Sequence, residues 1–317
     1  MNVLLIGGES AGIQMLRALE GGGHRVIAVM ASPSAASSSG SLWNAATRSG
    51  FETWPVGLVK DAYFANKLRS QHIDIILNVH SLYVIPAALL GAARVGAFNL
   101  HPGPLPRYAG LNAVSWAIYR GEKTHGVTIH KMVPEVDAGP VVYQTCFEIA
   151  DSDTALSLYS RCVRQGIALM VRLLDVASTD TSAIPLVPQD LSKREYFGKE
   201  VPNKGWLSWS CPAEAIVNFV RACDYLPFRS PWAHPKTNLC GQELSVVKAG
   251  RTGTPCKAEP GTVGGFVREG ALVASGDEWV LVERVKLEDR FLKPAAFLRI
   301  GSRSGCTGFR IEQPTRC

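Results

Sequence analysis

The chain lacks most of the features that assign a protein quickly. No apolar run approaches the roughly 20 residues that a bilayer-spanning helix needs. Of its 317 residues, 46% are hydrophobic and 19% charged, the balance of a globular chain with a sizeable core. Its first residues, MNVLLIGGESAG, carry no basic segment and only a short apolar run, so no secretory leader is expected and a cytoplasmic location is the default. The eight cysteines (146, 162, 211, 223, 240, 256, 306, 317) include no C-x-x-C pair and have no histidine at zinc spacing. Reduced thiols and no metal are therefore expected. Excess charge is also scarce. The net value of +6 divides into +2 over residues 1–204 and +4 over 205–317, which permits an anionic partner without demanding one. A dinucleotide fingerprint is missing too. Gly7, Gly8 and Gly12 do not make G-x-G-x-x-G, and the next apolar run, RVIAVMAS, ends without an acidic residue.

The first half alternates buried-strand runs with helical patterns. NVLLIG, RVIAVMAS, IDIILNVH and GAFNLH read as strands, whereas SAGIQMLRALEGG, SLWNAATRSG and DAYFANKLRSQH read as helices. This rhythm predicts a parallel sheet covered by helices, with ligands outside the carboxyl ends of its strands. GVTIHKM and GPVVYQTCFEI predict a strand pair, and TALSLYSRCVRQGIALMVRLLDVA predicts a long amphipathic helix. A catalytic domain is expected over 1–180. Residues 181–204, with mixed charge and several prolines, have linker composition. Over 205–317, one helix (CPAEAIVNFVRACD) precedes short alternating runs with glycine turns, which predicts a small β-barrel or sandwich. SPSAASSSGS at 32–41 is the one low-complexity patch and is expected to be a loop.

The most informative stretch is NLHPGPLPRYAG. Asn99 and His101 lie two residues apart at the end of an apolar run, so on a strand they share a face. Pro102, Pro104 and Pro106 then keep the backbone out of helix. A histidine at the end of a buried strand is by itself most often a structural residue. What shifts the balance is VPEVDAGP, a glycine-containing loop that supplies Asp137. An amide, an imidazole and a carboxylate, without a serine or cysteine nucleophile, suit direct attack of a substrate on a carbonyl. The amide and imidazole stabilise the oxyanion, and the carboxylate orients the imidazole.

The stretch FNLHPGPLPRYAGLNAVSWAIYRGEKTHGVTIHKMVPEVDAGPVVYQ resembles the formyltransferases that use 10-formyltetrahydrofolate. The shared features are Asn-x-His, a proline-containing segment, G-V-T and a loop ending in Asp-x-Gly. EYFGK, GWLSWSCPAEAIVNFVRAC and the β-rich end are similar to the carboxyl-terminal parts of methionyl-tRNA and aminoarabinose formyltransferases. The resemblance implies a parallel-rich α/β sheet with helices on both faces and a small carboxyl-terminal barrel of the OB type. It implies that Asn99 stabilises the tetrahedral intermediate, that His101 supplies a proton or charge, and that Asp137 holds His101. It further implies that Tyr83, Val84 and Ile85 line the folate pocket, and that Val133, Pro134, Glu135 and Val136 clasp the pterin. Glu135 is equally well read as a solvated charge.

Two departures bear on the acceptor. HPGPLP stands where H-x-S-L-L-P is commoner, and Leu111 stands where the aminoarabinose enzymes carry an arginine. The segment ASPSAASSSGSLWNAATRSG offers only Arg48, whereas the tRNA-dependent relatives have a basic loop there that grips the acceptor stem. The expected acceptor is thus a small-molecule or carrier-bound amine, as in peptide-synthetase and siderophore pathways, with tRNA the lesser alternative and no membrane partner. Hydrolysis of formyl-folate and non-catalytic folate binding are further alternatives. Oligomeric state is not legible.

Overall fold

A computed structural model of the protein describes residues 1–33, 40–61, 63–239 and 242–293. Most of the 32–41 loop, and everything after 293, lie outside the described residues. The first elements are β1 (Asn2–Gly7), α1 (Glu9–Gly21), β2 (Arg25–Ala31), α2 (Leu42–Arg48), β3 (Thr53–Pro55), α3 (Phe64–Ser70), β4 (Ile75–Val79), α4 (Ala87–Leu90) and β5 (Gly96–His101). After them come β6 (Ala109–Gly110), α5 (Ala113–Tyr119), β7 (Thr124–Lys131), β8 (Val141–Glu148), α6 (Ala155–Thr179) and β9 (Tyr196–Phe197). The chain continues through α7 (Ala213–Ala222), β10 (Lys236–Leu239), β11 (Gln242–Pro255), β12 (Val263–Phe266), β13 (Ala271–Ala274), β14 (Glu278–Leu287) and β15 (Arg290–Leu292).

These elements fall into two compact units. The first comprises residues 1–111, 125–147 and 160–197; the second comprises 112–124, 148–159 and 198 onward. The expected linker contributes to both, and the second unit draws two pieces from the middle of the chain. Separation along the sequence hides that sharing.

In the first unit, a seven-stranded sheet runs in the order β3-β2-β1-β4-β5-β7-β8. Strands β1 to β5 pair in parallel, and β7 turns antiparallel to β5. Helices cover both faces of this sheet, as the sequence predicts. β1, β4 and β5 are almost entirely buried, which accounts for their continuous apolar runs. α1 buries Ala11, Met15, Leu16 and Leu19 at helical spacing. Leu4, Ile6, Met30, Trp54, Phe64, Leu68, Ile76 and Leu89 form one contiguous core.

The second unit carries an antiparallel sheet in the order β10-β11-β14-β13-β12, with β15 on β14. The SGDEW stretch turns the chain from β13 into β14. α7 packs against β11, β14 and α5. Trp116 and Tyr119 of α5 sit edge-on to Trp232 at 4.8 and 6.3 Å, and Tyr119 meets Phe219 of α7 at 5.3 Å. Cys146, Cys162, Cys223 and Cys256 are free thiols, but Cys211 is disulfide-bonded. The expectation of reduced thiols throughout fails at Cys211, because folding brings cysteines together irrespective of their spacing.

Candidate active site

β5 ends at His101, and the three prolines after it leave few donors to satisfy. Those that remain are tied to the neighbouring strands. The Thr128 hydroxyl of β7 donates to the Gly103 carbonyl (2.7 Å) and accepts from the Leu105 amide (3.2 Å). Gln144 of β8 donates to the same hydroxyl and to the Leu105 carbonyl, both at 2.8 Å. A side chain at Gly103 would strike the His101 ring, with Nε2 2.7 Å from the added Cβ. The loop then returns over the strand end, and the buried Tyr108 aims its carbonyl at His101.

The strand register assembles a row of polar groups on one sheet face. Asn78 of β4 pairs with Asn99 of β5, and Asn99 with His130 of β7. Asn78 Nδ2 donates to Asn99 Oδ1 at 2.9 Å, which turns the Asn99 amide nitrogen toward His130 Nε2 (3.1 Å) and Asp137 Oδ1 (3.4 Å). Asp137 sits in the loop between β7 and β8 with a left-handed φ of 54°. Its carboxylate accepts from the Gly110 amide at 2.8 Å and lies 3.3 Å from both His101 Nδ1 and His130 Nε2. The expected trio of Asn99, His101 and Asp137 is therefore brought together.

Electrostatics divides the roles. Burial alone would raise the Asp137 carboxyl, but His101, His130 and the Gly110 amide outweigh it and hold the group well below the usual carboxylate range. Asp137 is therefore an anion. For His101, burial pushes the imidazole below its ordinary pKa, while Asp137 and the Tyr108 carbonyl pull it back. The Tyr108 oxygen can only accept, so Nε2, 2.7 Å away, carries a proton. Asn99 alone of this group is partly open to solvent; His101, His130 and Asp137 are 4%, 2% and 8% exposed.

Two members, Asn78 and His130, stand outside the residues that sequence motifs point to. The signal they do carry is alternation: in GVTIHKM, Thr128 and His130 fall on one face of a strand, and antiparallel pairing sets them opposite His101 and Asn99. Among the residues expected to line a folate pocket, Ile85 is buried in the core, Tyr83 packs at its margin and Val84 is 66% exposed. Val133 is half-buried, whereas Pro134, Glu135 and Val136 are exposed. Glu135 lies 3.6 Å from Arg194. Among the described residues no cluster of His, Cys, Asp or Glu is placed to hold a metal, and no helix is long and apolar enough to cross a membrane.

These polar groups gather outside the carboxyl end of a strand in a parallel-rich sheet, where the α/β class of folds binds its ligands. Family comparison narrows the class. Residues 1–174 match the formyl transferase family and residues 201–300 match the formyl transferase carboxyl-terminal domain, so the chain belongs to the formyl transferases. Several solved structures share its fold. One is an N-formyltransferase from Helicobacter canadensis in complex with folinic acid and dTDP-3-aminofucose, at TM-score 0.66 and 17% identity, covering 89% of this chain and 98% of that one. Another is the sugar 3N-formyltransferase WlaRD, solved with dTDP and 5-N-formyl-THF, at TM-score 0.66 and 16% identity, covering 92% and 99%. A third is HypX from Aquifex aeolicus, at TM-score 0.65 and 19% identity, where 94% of this chain matches 49% of that one.

Proposed function

We propose that the protein transfers the formyl group of 10-formyltetrahydrofolate to a primary amine of a small-molecule or carrier-bound acceptor in specialised metabolism. The observation that carries this reading is the Asn99–His101–Asp137 cluster, in which carboxamide, imidazole and carboxylate converge at a strand end. The amine nitrogen attacks the formyl carbon, and a C–N bond forms. The Asn99 amide, with its access to solvent, donates to the oxyanion that develops. The bond from carbon to folate N10 then breaks, and the proton lost by the amine passes to N10 with His101 as the relay. Ionised Asp137, 3.3 Å from Nδ1, stabilises the imidazolium that forms while His101 carries that proton. Leu82 and Val84, exposed on either side of Tyr83 in a stretch that Ile85 anchors to the core, and the Val133–Val136 loop offer apolar surface of the kind a pterin ring covers.

A small amine is favoured over tRNA because the 31–50 segment supplies Arg48 as its one basic residue, and a phosphate-binding loop needs several. One fold relative, crystallised with the amino sugar nucleotide dTDP-3-aminofucose, supports the same reading. The test incubates the protein with 10-formyltetrahydrofolate and a panel of amines and follows the gain of one formyl unit by mass. Transfer to a small amine supports the reading. Release of formate with no acceptor present would make it a hydrolase. Formylation of initiator methionyl-tRNA at physiological salt, with a kcat/KM equal to that of a tRNA-dependent enzyme, would overturn the small-amine assignment.

A further inference from the structure

Both ring nitrogens of His101 face groups on loops, the Tyr108 carbonyl on one side and the Asp137 carboxylate on the other. A single segment later in the chain fastens both loops. It starts where Val187 and Val141 exchange two backbone bonds of 2.8 and 2.9 Å. Gln189 then reaches under the Asp137 loop, and its Nε2 donates to the carbonyls of Asp137 (2.9 Å) and Gly139 (2.6 Å). Arg194 donates to the Val136 carbonyl at 2.8 Å and stacks on Tyr196. From there the segment crosses to the proline loop. The Ala109 amide donates to the Glu195 carbonyl and the Leu111 amide to that of Phe197, both at 2.8 Å, while the Phe197 ring stacks on Tyr108 at 5.4 Å.

We propose that residues 187–197 form a strap that sets the catalytic geometry, with Gln189 a positioning residue for Asp137. The reason lies in the backbone. The left-handed region is sparsely populated even for aspartate, which tolerates it better than most residues, so a free loop samples other conformations as well. Asp137 stays there because its neighbours fix it. Gly139 lies against β7, where an added Cβ would run into the Lys131 carbonyl, and the Gln189 amide ties the carbonyls of 137 and 139 to one nitrogen. When that tie is released, the carboxylate swings away from His101, His130 and the Gly110 amide together. The segment that reads as a linker is then part of the transfer machinery.

This inference rests on the assignment of Asn99, His101 and Asp137 as the reacting group, and the test separates the two. The readout is solvent exchange of the His101 ring N–H, followed by NMR in the full-length protein labelled with 15N-histidine and carrying Gln189→Met, Gln189→Glu or Asp137→Asn. It needs no acceptor. Gln189→Met keeps the side-chain length and loses both donations; Gln189→Glu also places carboxylate oxygens against two carbonyls. The expected result is exchange about tenfold faster in the methionine variant and faster still in the glutamate variant, each with wild-type circular dichroism. A folded Gln189 variant with wild-type exchange overturns the strap. If the methionine variant does not fold, the glutamate variant and Arg194→Met decide, since Arg194 holds the same loop from a different atom. Wild-type exchange in Asp137→Asn would instead show that Asp137 does not hold His101, and the site assignment would fail first.

Discussion

In the first unit the side chains of Asn78, His101, His130 and Asp137 are each less than a tenth exposed and engage one another or Asn99. In the second unit the charged pairs Lys236–Glu243, Lys248–Glu283 and Arg251–Glu278 lie along an antiparallel sheet with at least one partner open to solvent. The two sets obey different energetics. An exposed pair contributes about 0–1 kcal/mol and can be exchanged freely. A buried polar cluster costs several kcal/mol in desolvation, which it recovers only if every member is satisfied. A stable sheet has no need of such a cluster. Its presence beside a strand end, in a fold whose stability rests on apolar packing, is what the proposed formyl transfer would require.

The largest expected effect tests whether the two units are separable. A chain ending at residue 200 keeps α5 but removes α7 and Trp232, against which Trp116 and Tyr119 pack. Aromatic pairs of this kind contribute about 0.5–1.5 kcal/mol each beyond their burial. The truncated chain is expected to be insoluble or molten, as read by sedimentation and the absence of a cooperative melt. A soluble 1–200 chain with a sharp transition would show that the pieces 112–124 and 148–159 hold their structure without α7 and the β-rich end.

Next in size are the substitutions that contrast buried and exposed polar groups directly. Asn99→Ala, His101→Ala and Asp137→Ala are each expected to lower kcat/KM by about a hundredfold or more while the protein stays folded. Lys248→Ala, which breaks an exposed pair, is expected to leave the rate within about twofold. Steady-state kinetics beside thermal melts on all four proteins checks this. A near-normal rate in any folded member of the first three removes its assigned role.

Asn99, His101 and Asp137 are legible in the sequence because each stands in a local pattern: a strand end, a proline run, an Asp-x-Gly turn. His130 and Asn78 stand in plain apolar strands. Only the register of β4, β5 and β7 reveals them, and register depends on the whole sheet. The same reasoning explains the division of the chain. Composition separates the β-rich end, yet α5 belongs to that unit through contacts with residues about a hundred positions away. The pairing of β6 with β9 is equally hidden, since two-residue strands carry no periodicity.

His130→Phe sharpens the contrast within the buried cluster itself. The change keeps a ring at that position but removes one of the two imidazoles on Asp137, while His101 and the Gly110 amide remain. A loss of about tenfold in kcat/KM is expected, smaller than for His101→Ala, because orientation is weakened and no reacting group is removed. A loss as large as that of Asp137→Ala would place His130 among the reacting groups.

The smallest effect concerns the charge of the buried cluster, read through stability. Burial lowers the His101 pKa in the folded protein, so between that value and about 6.5 the unfolded chain takes up a proton that the folded chain refuses. Stability therefore falls as the pH drops below about 6.5, and this group has no effect above it. Asp137 acts in a separate, more acidic window. Its folded pKa is depressed, so its contribution is intact above about 3.9 and is lost as the pH falls toward the folded value. His24 and His234 are shifted downward as well and give both proteins a residual slope, so the informative quantity is the difference between wild type and His101→Gln. Urea midpoints at pH 7.5 and 5.0 measure it. The wild type is expected to lose more stability over that interval than the variant, by under about 1.4 kcal/mol for each tenfold drop in proton affinity that folding imposes on the imidazole. A variant that loses more than the wild type would mean that folding favours the imidazolium, with Asp137 and the Tyr108 carbonyl outweighing burial, and His101 would then enter the reaction already carrying its positive charge.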